Sequence, residues 1–133
     1  MNRCSRVTRL GALLLFAALG FAGHGHAQSV SRDSASKRLA KGKELFEGRG
    51  LCLSCHGKSG EGLQGVGPSL RKGPFVHTKG TLPEIVALIT TGIYSAHSKS
   101  GLVMAPKGGS RMTATEVELV AEYVLTFRKG GQN

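Results

Sequence analysis

Residues Cys52-Leu53-Ser54-Cys55-His56 decide how this chain of 133 residues folds. If this segment turns helically, Cys52, Cys55 and His56 occupy positions i, i+3 and i+4 and face the same side. Two thiols and one imidazole are then presented together to whatever lies beside the turn. The pattern therefore predicts an attachment site with three adjacent anchoring groups.

This spacing is typical of covalent haem attachment. The two thiols can add across the two vinyl groups of one haem, and the adjacent imidazole lies under the iron as its proximal ligand. A thioredoxin-like pair would follow a strand in a βαβ pattern, and a structural zinc site would need four ligands; the sequence offers neither. A disulfide between Cys52 and Cys55 stays open in an oxidising compartment, but it would leave the neighbouring glycine-rich segments unexplained.

Those segments lack the composition of an ordinary core. Seven glycines and two prolines lie between residues 57 and 80, and residues 93–111 are similarly irregular. Fixing such backbone costs much conformational entropy, so something other than local propensity must organise it. We expect the haem to be that template.

Three amphipathic segments predict an all-α fold. From residue 37, apolar positions including Leu39 and Phe46 recur at spacings of three and four residues. A second helix begins at Thr81 and a third at Thr113, because each threonine has a glutamate three residues later in capping-box spacing. The sequence shows no strand alternation and no internal repeat.

The N-terminal residues predict a secretory signal peptide. Three arginines within residues 1–9 precede an apolar run at 10–23, and small residues suit cleavage after Ala27. The apolar run is shorter than the roughly 20 residues of a membrane-spanning helix, so we expect a periplasmic location and no stable membrane anchor. The expected division of the chain is a cleaved signal peptide at 1–27, a flexible leader at 28–36, a haem-binding domain at 37–130 and a tail at 131–133.

The chain is strongly basic, with 18 Lys and Arg against 8 Asp and Glu and a formal net charge of +10. Outside the cytoplasm nucleic acid is a poor candidate partner, whereas acidic proteins or anionic lipid headgroups suit this charge. A positive rim around the haem would steer redox proteins with acidic surfaces, although a generally solvated basic surface is the alternative. The basic residues beside the expected haem segments are Arg49, Lys58, Arg71, Lys72, Lys79, Lys99, Lys107 and Arg111.

With these features the sequence resembles the class I c-type cytochromes, which are small monohaem electron carriers. The resemblance spans residues 37–129 and is carried by Gly42, Phe46, the Cys52–His56 motif, Gly67-Pro68-Ser69-Leu70, Met104 with Pro106, Gly108-Gly109 and Tyr123. It implies a cytochrome c fold, in which three main helices and glycine-rich loops wrap around one covalently attached haem c.

The resemblance also implies two supporting contacts. Gly42 would let the first and last helices cross closely near Tyr123, and the Pro68 carbonyl would accept a hydrogen bond from the second ring nitrogen of His56. The chain departs from the family by placing Ala105 directly after the candidate ligand methionine, and by containing no Trp.

Met104 is the predicted sixth ligand, since it lies in a glycine- and proline-rich loop that can bend over the distal haem face. A thioether suits the low-polarity side of an electron-transfer haem. Met112 directly precedes Thr113, where an apolar residue serves as a hydrophobic staple. His97 is the principal rival ligand, and His77 is expected at the surface or against a haem propionate.

Filled axial positions leave outer-sphere electron transfer as the expected function. We expect a periplasmic monohaem cytochrome that carries single electrons from a dehydrogenase donor to an oxidase or another acceptor, with no catalytic residue of its own. Two alternatives stay open: a haem subunit of a periplasmic oxidoreductase complex, and a gas-binding haem sensor whose sixth ligand is labile.

Overall fold

A computed structural model describes residues 25–72 and 74–129 of the chain. Its helices are α1 (Gly25–Glu47), the short α2 (Leu53–His56), α3 (Leu82–Thr91) and α4 (Ala114–Lys129). Two 3₁₀ turns lie between α3 and α4, at Ser95–His97 and Pro106–Gly109.

The described residues contain no strand beyond two isolated bridge pairs, which confirms the predicted all-α fold with three main helices. No helix among them is long and apolar enough to cross a bilayer. Residues 1–24 of the expected signal peptide and the expected tail at 131–133 lie outside the described residues.

The first helix begins earlier than its apolar pattern indicates. α1 includes residues 28–36, for which composition predicts a flexible leader; in the structure these residues are helical. This segment contains no glycine or proline, and adding residues to an existing helix costs far less than nucleating one. Its side chains from Arg32 onward are exposed, which explains why no apolar periodicity marks it.

α1 and α4 cross with their backbones in close contact, as the resemblance implies. A side chain at Gly42 would overlap the carbonyl of Leu119, and its Cβ would lie 2.9 Å from Tyr123 Cβ. One turn later the fully buried Phe46 meets Tyr123 and Phe127 edge to face, with ring centroids 5.6 and 5.4 Å apart. This geometry is the favourable one for aromatic pairs, and it stabilises the contact between the two helices.

The core lies along α4, against which α3 packs with Ile85 and Ile89 buried. Met112 is 1% exposed and belongs to this core, which confirms the prediction that it serves packing. The buried apolar residues are Leu45, Phe46, Cys52, Ile85, Ile89, Met112, Val117, Val120, Ala121 and Val124.

Both predicted capping boxes are present. The Thr81 backbone N–H donates to the Glu84 carboxylate at 3.2 Å, and the Thr113 N–H donates to Glu116 at 2.9 Å. The Thr113 hydroxyl also accepts from the Glu116 backbone N–H at 3.3 Å. These bonds satisfy donors that the first helical turn leaves without partners.

We expect Thr113→Ala to lower the free energy of unfolding by about 1 kcal/mol, because α4 loses its N-terminal cap. Denaturant unfolding of the haem-loaded protein measures this change. Thr115→Ala, at an exposed position in the first turn of α4, is the matched control and should stay within about 0.5 kcal/mol of wild type. Equal midpoints for the two variants would contradict the assigned cap.

Candidate functional site

A cavity of about 350 Å³ lies between the cysteine motif, α3, α4 and the loop that leads to α4. Its walls are mainly apolar and include Leu70, Phe75, Ile85, Ile89, Val120 and Val124. α4 therefore contacts the helical core on one side and the cavity on the other. Such a space suits a flat hydrophobic group.

The cysteine motif forms one helical turn at the edge of this cavity. The Cys52 carbonyl accepts hydrogen bonds from the N–H groups of Cys55 and His56, at 3.3 and 3.0 Å. All three side chains line the cavity, in agreement with their predicted common face. No disulfide joins Cys52 and Cys55, and burial raises the pKa of the unmodified Cys52 thiol to about 11.

His56 is oriented by a backbone carbonyl. Its Nδ1 lies 2.9 Å from the Pro68 oxygen, which is the contact that the resemblance implies. Because a carbonyl can only accept, Nδ1 carries the proton and Nε2 keeps a free lone pair. Burial lowers the pKa of His56 while the bond to Pro68 opposes that change, and the imidazole is neutral at pH 7.

The turn before Pro68 packs against the cysteine motif. Gly67 exchanges two backbone hydrogen bonds with Leu63, each 2.9 Å long. A Cβ at Gly67 would lie 2.5 Å from the Cys55 carbonyl oxygen, so only glycine permits this approach. The contact sets the position from which Pro68 reaches His56.

Met104 reaches the same cavity from the loop after α3. Its backbone exchanges two hydrogen bonds with Ile93: the Ile93 N–H donates at 2.8 Å, and the Met104 N–H donates back at 2.9 Å. The rival residues lie elsewhere. His97 is exposed and borders a separate groove, and Met112 is in the core.

His77 also lines the cavity, and its side chain gives separate evidence for the kind of group that would fit there. Its Nε2 is buried, and no hydrogen-bond partner reaches it within the part of the chain that the structure describes. A buried polar nitrogen is costly unless a polar group meets it. Haem carries two propionates on an otherwise apolar ring, so its polarity matches both the walls and this nitrogen.

The basic residues proposed as a positive rim lie outside the cavity wall. All are exposed except Lys107, which is half-buried and donates to the Met112 carbonyl at 2.7 Å. Arg49 forms an ion pair with Glu116. Arg49 and Lys107 thus interact with groups of the protein itself, so the other six basic residues would steer a partner.

An all-α fold that encloses an apolar cavity between a Cys-x-x-Cys-His turn and a methionine defines a c-type cytochrome domain. Comparison with family models agrees, since the model described as "Cytochrome C oxidase, cbb3-type, subunit III" matches residues 37–124. The chain belongs to this family and is a class I monohaem cytochrome domain with covalently bound haem c and an electron-transfer role.

A curated relative is the "Cbb3-type cytochrome c oxidase subunit FixP" of Bradyrhizobium diazoefficiens, which is 35% identical over 110 residues. The match covers 76% of this chain but only 37% of the relative, so the chain spans little more than a third of that protein's length. No solved structure gives a significant match.

The sequence alone does not predict several features of the site. The pairing of Ile93 with Met104 joins distant backbone atoms and has no side-chain signature. The Phe75 wall is backed by Arg128, whose guanidinium carbon lies 3.9 Å from the ring centroid. In the sequence Arg128 has only the signal of a cation at a helix C-terminus.

We expect Gly67→Ala to displace Pro68 from His56, because the new Cβ meets the Cys55 carbonyl. NMR of the reduced haem-loaded protein should then show the His56 Nδ1–H resonance shifted or lost through exchange. Gly65→Ala is the matched control, since a Cβ there meets nothing within 4 Å. An unchanged His56 resonance in Gly67→Ala would contradict the role of this close contact.

Proposed function

We propose that Cys52 and Cys55 form the two thioether bonds to haem c, and that His56 Nε2 and Met104 Sδ are the axial iron ligands. The observation that carries this proposal is that His56 and Met104 line one apolar cavity. The bond from His56 Nδ1 to Pro68 supports it further, because it leaves Nε2 free for the metal. The buried, unpaired Nε2 of His77 suits a propionate.

When bound, haem c supplies a one-electron Fe(III)/Fe(II) couple. The residues of the chain would adjust the reduction potential of that couple and keep water away from it. The apolar walls exclude water and disfavour the additional charge of the ferric state, and the Met104 thioether favours Fe(II). The Pro68 carbonyl fixes the His56 ring and increases its basicity. With His56 and Met104 holding the iron, a bound haem would supply outer-sphere electron transfer.

The electron acceptor in this proposal is a neighbouring protein of an extracytoplasmic oxidase complex. Membership of the cbb3-type subunit III family and the similarity to FixP support this role over that of a freely diffusing carrier. Leu51, Val66, Val76 and Val103 line the cavity, so a haem held there would cover part of their surface. The exposed cations of the proposed rim favour an acidic partner.

The second candidate is a soluble periplasmic shuttle. The expected cleavable signal peptide at residues 1–27 supports it, because cleavage after Ala27 would release the domain from the membrane during export. Both candidates place the haem outside the cytoplasm and use the same ligands. They differ in whether the protein forms a stable complex.

We expect Met104→Ala to keep its covalent haem but to lose the ferric sulfur-to-iron charge-transfer band, lower the reduction potential and bind carbon monoxide when reduced. Absorption spectroscopy and redox titration measure these changes. Met112→Leu is the control, because this buried methionine contributes to packing and should leave the spectrum unchanged. A wild-type spectrum in Met104→Ala would refute the ligand assignment and turn attention to His97.

We expect the full chain, tagged at its C-terminus in its native host, to co-purify with a membrane oxidase that consumes oxygen when an artificial donor reduces the haem. The measurement is oxygen uptake by the purified complex, with Met104→Ala as the variant that slows electron flow. Recovery of the whole population as a free haem protein in the periplasmic extract would favour the shuttle. Recovery in the cytoplasm would contradict both candidates.

A further inference from the structure

We propose that Gly92 is a positioning residue for the sixth iron ligand. Its missing side chain lets the end of α3 lie directly against the backbone of Met104, which holds the thioether over the cavity. The inference rests on the proposed function, in which Met104 binds the iron.

Gly92 ends α3 in a conformation that favours glycine. Its N–H donates to the Leu88 carbonyl at 2.8 Å, and its φ and ψ are 70° and −171°, a region that residues with a side chain rarely adopt. The next residue, Ile93, exchanges its two hydrogen bonds with Met104. A single glycine thus connects a regular helix to the residue that holds the ligand backbone.

The steric contact at Gly92 is with backbone atoms of the ligand loop. A Cβ there would overlap the Met104 carbonyl oxygen, and it would lie 2.7 Å from Pro106 N and 2.9 Å from the Ala105 carbonyl carbon. A flexible side chain could rotate away from a methyl group, but these atoms cannot. Adding the methyl must therefore move residues 104–106 or unwind the end of α3.

The rest of the loop offers Met104 less support. Tyr94, which directly follows Ile93, is 63% exposed. Ser98 donates to the Leu102 carbonyl at 2.5 Å, but this bond closes the loop on itself and does not anchor it to a helix. The two hydrogen bonds between Ile93 and Met104, together with the backbone contact at Gly92, thus connect Met104 to the end of α3.

The loop also contains a matched control. Gly101 has a positive φ of 75°, close to that of Gly92, but a Cβ there would meet nothing within 4 Å. Gly101→Ala therefore places a side chain at another positive-φ glycine of the same loop without the contact. A difference between the two variants reports what is particular to Gly92, namely its contact with residues 104–106 and its backbone conformation.

The test compares Gly92→Ala, Gly101→Ala and wild type as haem-loaded full chains. We expect Gly92→Ala to lose or weaken the ferric sulfur-to-iron band and to bind imidazole at the ferric iron about tenfold or more tightly, since strain of this kind shifts such an equilibrium by that order. Gly101→Ala should match wild type. A full sulfur band and wild-type imidazole affinity in Gly92→Ala would overturn the proposal.

The Met104→Ala background separates this inference from the ligand assignment. There Gly92→Ala should produce no further change in imidazole affinity or reduction potential, because the residue acts through Met104. If Gly92→Ala changed the imidazole affinity as much in this background as it does in wild type, Gly92 would act on the haem by another route. That result would overturn the Gly92 inference but not the ligand assignment. A wild-type spectrum for Met104→Ala itself would overturn the ligand assignment and the inference together.

If the Gly92→Ala protein does not accumulate, amide hydrogen exchange in the wild-type protein tests the proposal. We expect the Ile93 and Met104 amides to exchange with deuterium more slowly than the Gly101 amide, and to lose protection together when imidazole displaces the thioether. Exchange of both amides as fast as that of Gly101 would show that the contact does not hold the ligand.

Discussion

An apolar cavity of about 350 Å³ in the middle of a small protein is costly unless a hydrophobic group fills it, and this requirement organises the rest of the structure. The glycine-rich segments bury few side chains of their own. The cavity that they line would give them further packing partners when a haem fills it. The aromatic contacts between α1 and α4 are made within the protein itself, whereas the loops that carry Pro68 and Met104 line the cavity.

The two sides of the cavity hold the proposed iron ligands by different means. His56 lies on a helical turn and is oriented by the Pro68 carbonyl at 2.9 Å. Met104 lies in a loop and is tied to the end of α3 through Ile93. The His56 attachment is a hydrogen bond from its ring to a backbone carbonyl, and the Met104 attachment is a pair of backbone hydrogen bonds; both lie close to helices. Such attachment favours a site that changes little between two oxidation states, which suits rapid electron transfer.

Much of this architecture could be predicted from sequence, because its signals are local. The Cys-x-x-Cys-His turn, the capping boxes at Thr81 and Thr113, and the buried position of Met112 all follow from the spacing of neighbouring residues. Gly42 and the contact between Pro68 and His56 required resemblance to a family, since each joins segments far apart in the chain. The ligand roles and the oxidase complex remain proposals.

Other features of the structure have no recognisable pattern in the sequence. Residues 28–36 are helical because they extend α1, although no apolar periodicity marks them. The pairing of Ile93 with Met104 uses backbone atoms that any residue carries. Gly92 stands in the sequence as an ordinary helix end, and its contact with the ligand loop emerges only when α3 and residues 104–106 come together. The unpaired Nε2 of His77 likewise depends on burial that three-dimensional packing creates.

The visible absorption spectrum of the haem-loaded protein, recorded oxidised and reduced, with and without carbon monoxide, tests the central claim most directly. A c-type reduced α band, a ferric sulfur-to-iron charge-transfer band and no response to carbon monoxide are the expected result for haem held by Cys52, Cys55, His56 and Met104. A missing sulfur band together with carbon monoxide binding would contradict this ligand set and would favour a gas-binding site with a labile sixth ligand.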